Sequence, residues 1–285
     1  MKYRIPIVFG FAVSTMILFA PPLSALRQAR GERGAPPAAS PQTAAPIDLT
    51  GYWVSLVTDN WTYRVLTPPK GDYLYLPLNA EARRVANAWD PAKDEAAGEQ
   101  CKGYGPVGVM RMPTRLHITW QDEKTLKIEA DTGTQTRLLH LGPPEPPTGP
   151  RTWQGYSIAE WQLSGNGRGR GSGAPRPGTG SLKVTTNQMR PGYIHKNGVP
   201  YSENAVLTEY FTIVSDRGVT YLVDTLMLED PKYLTQSFVR SAQFKKQSDD
   251  TGWDPIPCSP RFVRESPVLK CWLLGRASIH SPSFW

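Results

Sequence analysis

Two long alternating runs, residues 205–214 and 219–229, constrain the fold of this chain more than any other feature. They flank Ser215-Asp216-Arg217-Gly218, a segment with turn composition, so together they predict a β-hairpin. Both faces of this hairpin carry apolar side chains. Such a hairpin belongs inside the wall of a sandwich or a barrel.

A loop of two or four residues centred on Asp216 and Arg217 sets the expected register of the hairpin. In that register Glu209 lies directly opposite Asp224 on an otherwise apolar face. Like charges that face each other destabilise a strand pair. We therefore expect one protonated carboxyl, a bridging cation, or a wetted face.

Two arginines, Arg240 and Arg137, are the candidate bridging cations. Inside a barrel, a carboxyl with a raised pKa beside a carboxylate would supply a general acid and a general base, as hydration, dehydration and isomerisation require. The alternative is a solvated or arginine-bridged pair with a structural role.

The ends of the chain are expected to lie outside the folded unit. Residues 1–25 have the basic start, apolar run and small cleavage residue of a signal peptide, with an uncleaved anchor as the alternative. Residues 26–47 read as a disordered leader, and 259–285 as an irregular tail. The folded domain is then 48–258, and we expect a periplasmic or secreted protein with no membrane contact after cleavage.

The net charge of +7 does not indicate nucleic-acid binding. The excess basic residues fall in the predicted signal, leader and tail, which leaves residues 48–258 close to neutral. Neutralising a phosphate backbone requires a basic stripe, and this segment lacks one.

Three cysteines suit an oxidising compartment. We expect Cys101 to pair with Cys258, which ties the end of the domain to an early loop, and leave Cys271 in the tail. The alternative is three free thiols, because sequence alone does not fix connectivity.

The remaining pattern predicts about ten strands and one helix. Residues 63–67 and 107–112 read as strands, and 80–89 as a helix capped by Asn79. Residues 164–180, rich in Gly and Arg, read as a flexible insertion. The fold class is therefore all-β and antiparallel.

The opening strand, with Gly51-x-Trp53, resembles that of lipocalins and other calycins. That resemblance implies an antiparallel meander closed into a lipocalin-like barrel, in which Trp53 plugs one end. It also implies an arginine from the last strand packed across the tryptophan, and Arg240 is the candidate.

A second resemblance covers most of the predicted domain. The chain is similar to a widespread family of exported bacterial proteins of unknown function, which brings no catalytic residue. The segments that carry it are Leu49-Thr50-Gly51-Tyr52-Trp53, Gln154-Gly155-Tyr156-Ser157-Ile158-Ala159-Glu160-Trp161, Gly180-Ser181-Leu182-Lys183-Val184-Thr185-Thr186-Asn187, Arg190-Pro191-Gly192-Tyr193, Lys196-Asn197-Gly198-Val199-Pro200-Tyr201-Ser202, Thr208-Glu209-Tyr210-Phe211 and Glu229-Asp230-Pro231.

No sequence motif for a nucleophile elbow, zinc, phosphate or dinucleotide is present, so we expect no cofactor and no metal. His195 lies in a turn-rich stretch that is expected to cover a barrel mouth, as a proton shuttle or as an ordinary exposed loop histidine. The candidate catalytic residues are Glu209, Asp224 and His195.

The main hypothesis is a barrel that binds a small apolar or amphipathic molecule in its interior. The candidate ligand-binding side chains are Trp53, Trp120, Tyr201, Phe211 and Arg240. The alternatives are a cofactor-independent lyase, hydratase or isomerase that uses the paired carboxylates, and a structural or partner-binding envelope protein that exposes a hydrophobic patch. The sequence does not indicate an oligomeric state.

Overall fold

Nine β-strands pair edge to edge in a closed ring, which confirms the predicted all-β barrel. The structure, a computed structural model, describes residues 39–145, 147–163 and 179–260. The order around the ring is β1-β11-β10-β9-β6-β5-β4-β3-β2, and β7 pairs with β8 in a separate two-stranded sheet. The strands are β1 Gly51–Leu56, β2 Arg115–Asp122, β3 Thr125–Ala130, β4 Gln135–Leu141, β5 Tyr156–Gln162, β6 Ser181–Asn187, β7 Gly192–His195, β8 Val199–Tyr201, β9 Val206–Asp216, β10 Val219–Glu229 and β11 Phe238–Gln247.

The ring is mixed, so the prediction of a purely antiparallel meander is wrong. β4 and β5 run parallel, with Leu139 beside Ser157 and Leu141 beside Ala159. Two consecutive strands can pair in parallel only if the chain between them returns to the end of the barrel at which the first strand began. The proline-rich link 142–155 connects these strands, and extended chain of that kind covers about 3 Å per residue.

Four short α-helices and one 3₁₀-helix occur in the described part of the chain, where one helix was expected. The predicted helix is present as α2, and the side chain of Asn79 caps it by accepting from the amide of Ala82. The helices are α1 Trp61–Val65, α2 Ala80–Asn87, α3 Pro91–Ala96, the 3₁₀-helix Gln100–Tyr104 and α4 Pro106–Val109.

Two predicted strands are helical turns instead. Residues 63–67 overlap α1, and 107–112 overlap α4. Pro106 opens α4 and every residue of this helix is buried. Short apolar runs of this kind look the same in sequence whether they form a buried strand or a buried helix.

The β9–β10 hairpin forms, but its register differs from the expected one by two residues. Arg217 and Gly218 both adopt positive φ, 48° and 80°, and make a two-residue turn between Asp216 and Val219. Glu209 therefore lies opposite Leu226, and Asp224 opposite Phe211. A shift of two keeps every side chain on its expected face, so the two carboxyls are diagonal neighbours on the same inner face.

Inward side chains fill the ring. All nine barrel strands contribute to one buried apolar cluster, together with Ile47 and Leu49, and Val109 and Met110. The strand members are Trp53, Leu116, Ile118, Leu126, Ile128, Ala130, Leu139, Leu141, Ala159, Leu182, Val184, Phe211, Leu222, Ala242 and Phe244.

A second apolar cluster lies at one end of the barrel, where β9 begins, β10 ends and β11 begins. It joins Leu207, Leu228 and Phe238 to residues of α2, α4, β7 and β8. We call this the helix-covered end. The β9–β10 turn lies at the opposite end.

Residues 39–47 pack against the barrel, so the prediction that the disordered leader extends to residue 47 is wrong. Ile47 is buried, and the indole N–H of Trp161 donates to the carbonyl of Pro41 over 3.0 Å. The predicted signal peptide, residues 164–178 of the insertion and residues 261–285 of the tail lie outside the described residues.

The predicted disulfide is confirmed. Cys101 and Cys258 are bonded, with an S–S distance of 2.05 Å, and the bond joins the 3₁₀-helix to the end of the domain. Cys271 is outside the described residues. None of the helices within the described ranges is long and apolar enough to cross a membrane.

Candidate functional site

Arg137 and Glu209 form a buried ion pair inside the barrel. Both guanidinium Nη atoms donate to the carboxylate, Nη1 to Oε1 over 2.9 Å and Nη2 to Oε2. Both residues are almost completely buried. Burial alone lowers the pKa of Arg137, but the Glu209 carboxylate outweighs it and raises the pKa overall. A bridging arginine was one of the three arrangements expected for the two carboxyls, and Arg137, not Arg240, pairs with Glu209.

Asp224 is the unusual member of this layer. Its side chain is fully buried, and neither carboxyl oxygen has a hydrogen-bond partner among the described residues. Burial, and then the nearby Glu209 carboxylate, raise the pKa of Asp224 well above its ordinary value. We therefore assign Glu209 as the charged partner of Arg137 and Asp224 as the neutral acid.

Asp224 and Glu209 lie between the two apolar clusters. Phe211 and Leu222 of the first cluster follow on one side, and Leu207 and Leu226 of the second follow on the other. The arrangement provides a neutral acid next to a carboxylate. However, Glu209 already accepts two charge-assisted hydrogen bonds, which weakens it as a base.

The aromatic side chains that were predicted to contact a ligand lie in different environments. Trp53 is fully buried and donates from its indole N–H to the carbonyl of Leu49. Phe211 lies in the same apolar cluster, and Trp120 packs against that cluster while partly exposed. Tyr201 is buried in the second cluster, where burial raises the pKa of its hydroxyl. The structure therefore places these side chains in the packing of the domain.

Arg240 does not cover Trp53, contrary to the expectation drawn from calycins. Lys246 lies opposite Trp53 in the β1–β11 pair, and its Nζ is 5.0 Å from the indole centroid. Arg240 lies at the helix-covered end, where its guanidinium is 4.7 Å from the ring of Phe238 and donates to the carbonyl of Tyr75.

His195 belongs to β7, so the prediction of an exposed loop position is wrong. Its ring is 6.0 Å from that of Tyr63 and 6.3 Å from that of Phe238. Burial, and then the positive charges of Arg111 and Arg240, lower the pKa of His195 to about 3. The imidazole is therefore neutral at pH 7, and its buried Nδ1 has no hydrogen-bond partner within the described ranges.

The β7–β8 hairpin contributes Ile194, Val199 and Tyr201 to the apolar cluster at the helix-covered end. Asn197 holds it in place, because its side-chain amide donates to the carbonyls of Pro69 and Asp72 over 3.1 Å and 2.8 Å. This contact ties the β7–β8 hairpin to the segment that follows α1.

A small cavity of about 20 Å³ lies beside His195. We call it the arginine pocket. Its lining residues are Tyr63, Arg64, Gly108, Arg111, Met112, Ile194, His195 and Lys196. A cavity of this size holds about one water molecule.

Two buried arginines define the charge of the arginine pocket. Arg64 Nε donates to the carbonyl of Arg111 over 2.7 Å, which joins α1 to the segment after α4. Both arginines share one carboxylate, Asp59, at 2.9 Å from Arg64 Nη1 and 3.7 Å from Arg111 Nη2. Arg64 and Arg111 are only 4% and 5% exposed. Burial lowers the pKa of Arg111 to about 10, so it stays charged at pH 7.

Four large exposed apolar side chains lie in α1, which contributes Tyr63 and Arg64 to the pocket, or next to the contact between Arg240 and Tyr75. Trp61 lies one turn before Arg64 in α1 and is 65% exposed, and Tyr75 is 67% exposed. Leu74 and Val239 are the neighbours of Tyr75 and Arg240 in sequence and are also exposed. We call Trp61, Leu74, Tyr75 and Val239 the apolar rim. Tyr75 has a φ of 62°, a left-handed conformation that a bulky side chain rarely adopts.

No known protein family, curated protein or solved structure matches this chain. The resemblances to calycins and to an exported bacterial family thus stay predictions. Within the described ranges, no cluster of three or more His, Cys, Asp or Glu side chains has the geometry to hold a metal ion.

Arg64 and Arg111 were not among the functional residues predicted from the sequence. Both were assigned to strands, so neither had a predicted partner. Arg111 nevertheless carries a usable signal, because it interrupts the apolar run of residues 107–112. A charged side chain in such a run is seldom buried without a partner, which points to a specific ionic contact.

Proposed function

We propose that this protein binds a small amphipathic molecule at the helix-covered end of its barrel. The barrel that the sequence predicted is present. The sequence-based hypothesis placed the ligand in the barrel interior, whereas we now place it at one end. The ligand would place its polar group in the arginine pocket and its apolar part along the apolar rim.

The observation that carries this proposal is the exposure of large aromatic side chains at the same end of the barrel as a pocket whose buried polar atoms lack partners. Trp61 and Tyr75 expose about two thirds of their surface although both are large and aromatic. Apolar surface that is contiguous with a few convergent polar groups is typical of a small-molecule site. The left-handed backbone at Tyr75 costs free energy, and such strain concentrates at functional positions.

The packing of the barrel interior favours the end over the interior as the binding site. Trp53, Phe211 and Phe244 are fully buried in one cluster with residues of all nine strands. Small barrels of this kind are commonly filled by their own side chains. A ligand in the interior would have to displace several of these side chains, whereas a ligand at the end would not.

The cellular location in this proposal is an oxidising compartment, periplasmic or secreted. The Cys101–Cys258 disulfide supports it, because such bonds persist where thiols are not kept reduced. A disulfide is compatible with export, and the predicted signal peptide is the second support.

The alternative function is a cofactor-independent lyase, hydratase or isomerase. Asp224 is the observation that favours it, because a buried neutral acid without a hydrogen-bond partner is free to donate a proton. Asp224→Asn separates the two functions, because it removes the candidate acid without breaking the Arg137–Glu209 pair. A binding protein keeps its ligand after this change, whereas an acid–base enzyme loses about two to four decades of turnover.

Native mass spectrometry of the protein purified from its own cell envelope tests the proposal. We expect a retained amphipathic molecule that is released by Trp61→Ser combined with Tyr75→Gly. Glycine suits the positive φ at position 75, so the second change also removes strain.

A matched control is Leu163→Ser combined with Val214→Ser. These side chains are similarly exposed, at 52% and 49%, but lie at the opposite end of the barrel. The control should keep the retained molecule. Equal loss in both double variants, or retention in both, would contradict a site at the helix-covered end.

A further inference from the structure

We infer that the molecule bound at the helix-covered end carries a carboxylate, and that Arg64 and Arg111 bind this group in the arginine pocket. This inference rests on the proposed function and specifies the class of ligand. Three observations carry it: the local balance of charge, the unused donors, and the size of the pocket.

The charge balance at the pocket is positive. Arg64 and Arg111 share the single carboxylate of Asp59, which is itself 41% exposed and partly solvated. Arg240 adds a third positive charge, because both it and Arg111 act on His195. Two other acidic groups are near: Asp72 accepts a hydrogen bond from the hydroxyl of Tyr63, and Asp224 interacts with Arg111 but is the neutral acid, because burial raises its pKa overall. A buried guanidinium without a full counter-charge is costly, and an anion in the pocket would relieve that cost.

Arg64 and His195, which both line the pocket, have buried side-chain nitrogens without a hydrogen-bond partner among the described residues. Arg64 Nη2 is buried and has no hydrogen-bond partner among the described residues, although the other two nitrogens of Arg64 are bonded. His195 Nδ1 is also buried and unpartnered. A neutral imidazole carries one N–H, so the tautomer protonated at Nδ1 can donate to an anion oxygen.

The size of the pocket selects a small anion. A cavity of about 20 Å³, with room for about one water molecule, would take one oxygen of a carboxylate that enters from outside, while the rest of the group and its chain stay at the mouth of the cavity. A planar carboxylate also matches the fork of a guanidinium. A group larger than one such oxygen would enter the cavity only if the cavity walls moved.

Titration of the wild-type protein with three amphiphiles of equal chain length tests this inference: decanoate, decanol and decyltrimethylammonium, each below its micelle concentration. Exposed Trp61 provides a fluorescence signal. We expect decanoate to bind at least about 10-fold more tightly than decanol, and the cation to bind most weakly, because a charge-assisted hydrogen bond favours only the carboxylate.

The Arg111→Met variant provides the second arm. It should weaken decanoate binding about 10-fold or more while leaving decanol binding unchanged. Arg217→Met removes the same charge at the opposite end of the barrel and should leave both unchanged. If Arg111→Met fails to fold, the comparison of ligands on the wild-type protein still decides the question.

The outcomes separate the two proposals. Equal affinity for decanoate and decanol, or stronger binding of the cation, would overturn the carboxylate inference and leave the binding function intact. Absence of binding for all three amphiphiles would remove both, with the pocket then serving as a site for a structural water.

Discussion

Arg137 of β4 and Glu209 of β9 form a two-bond ion pair inside the barrel, although β5 and β6 separate their strands in the wall. The pair therefore joins two parts of the ring that do not hydrogen-bond through their backbones. Each partner compensates the burial of the other, so losing one leaves an uncompensated charge in the core.

Removing Arg137 alone should be strongly destabilising. We expect Arg137→Met to lower the free energy of unfolding by about 3–5 kcal/mol, and Arg137→Met combined with Glu209→Leu to recover most of that loss. Urea unfolding measures both. Lys183→Met breaks the exposed pair with Glu160 and should cost less than about 1 kcal/mol. A double variant as unstable as Arg137→Met would contradict the paired burial of these charges.

Asp224 should make the protein less stable as pH rises. Its pKa is raised in the folded state, so the folded protein binds more protons than the unfolded chain above about pH 4, the ordinary aspartate value. The free energy of unfolding contributed by this group then falls with increasing pH until its folded pKa is passed. Asp224→Asn should remove this slope. Urea midpoints measured from pH 4 to pH 8 check it, and parallel curves for the two proteins would refute it.

His195 should affect stability in the opposite direction. Its folded pKa of about 3 lies below the ordinary value near 6.5, so the unfolded chain binds the extra proton between these values. Stability from this group is complete above about pH 6.5 and is lost as pH falls toward 3. NMR of the ring should show no titration of His195 between pH 7.5 and pH 5. A midpoint in that range would show that the ring is not buried as described.

The Cys101–Cys258 bond should contribute measurably to stability. Replacing both cysteines by serine should lower the free energy of unfolding by roughly 2–5 kcal/mol, because the bond closes a long loop in the unfolded chain. Thermal unfolding of the variant measures the loss, and peptide mapping without reductant checks the connectivity. Free thiols at both positions in the mapped protein would contradict the pairing.

Alternation in the sequence was enough to predict much of the barrel but not its closure. Residues 116–120 and 126–130 form β2 and β3 as their period of two indicates. The parallel contact between β4 and β5 has no local signature, because it depends on how the link 142–155 returns. The hairpin register depended on Arg217 adopting a positive φ, which arginine rarely does.

The candidate site was predicted only in part, because it too depends on how the barrel closes. Periodicity placed Glu209 and Asp224 on one buried face, and charge repulsion called for a protonated carboxyl, a bridging cation or a wetted face there. The choice of Arg137 over Arg240 depends on barrel closure, which brings β4 within reach of β9. Arg64 and Arg111 were missed because α1 and α4 span only one turn or so, too few residues to display a helical period.

The position of the bound ligand decides between a site at the helix-covered end and a site inside the barrel. Isotope-filtered NMR on the labelled protein, saturated with decanoate or with the molecule retained from the envelope, reports which side chains lie within about 5 Å of the alkyl chain. We expect contacts to Trp61, Tyr75 and Val239 at the helix-covered end. Contacts to Phe211, Leu222 and Trp53 instead would place the ligand inside the barrel and contradict it.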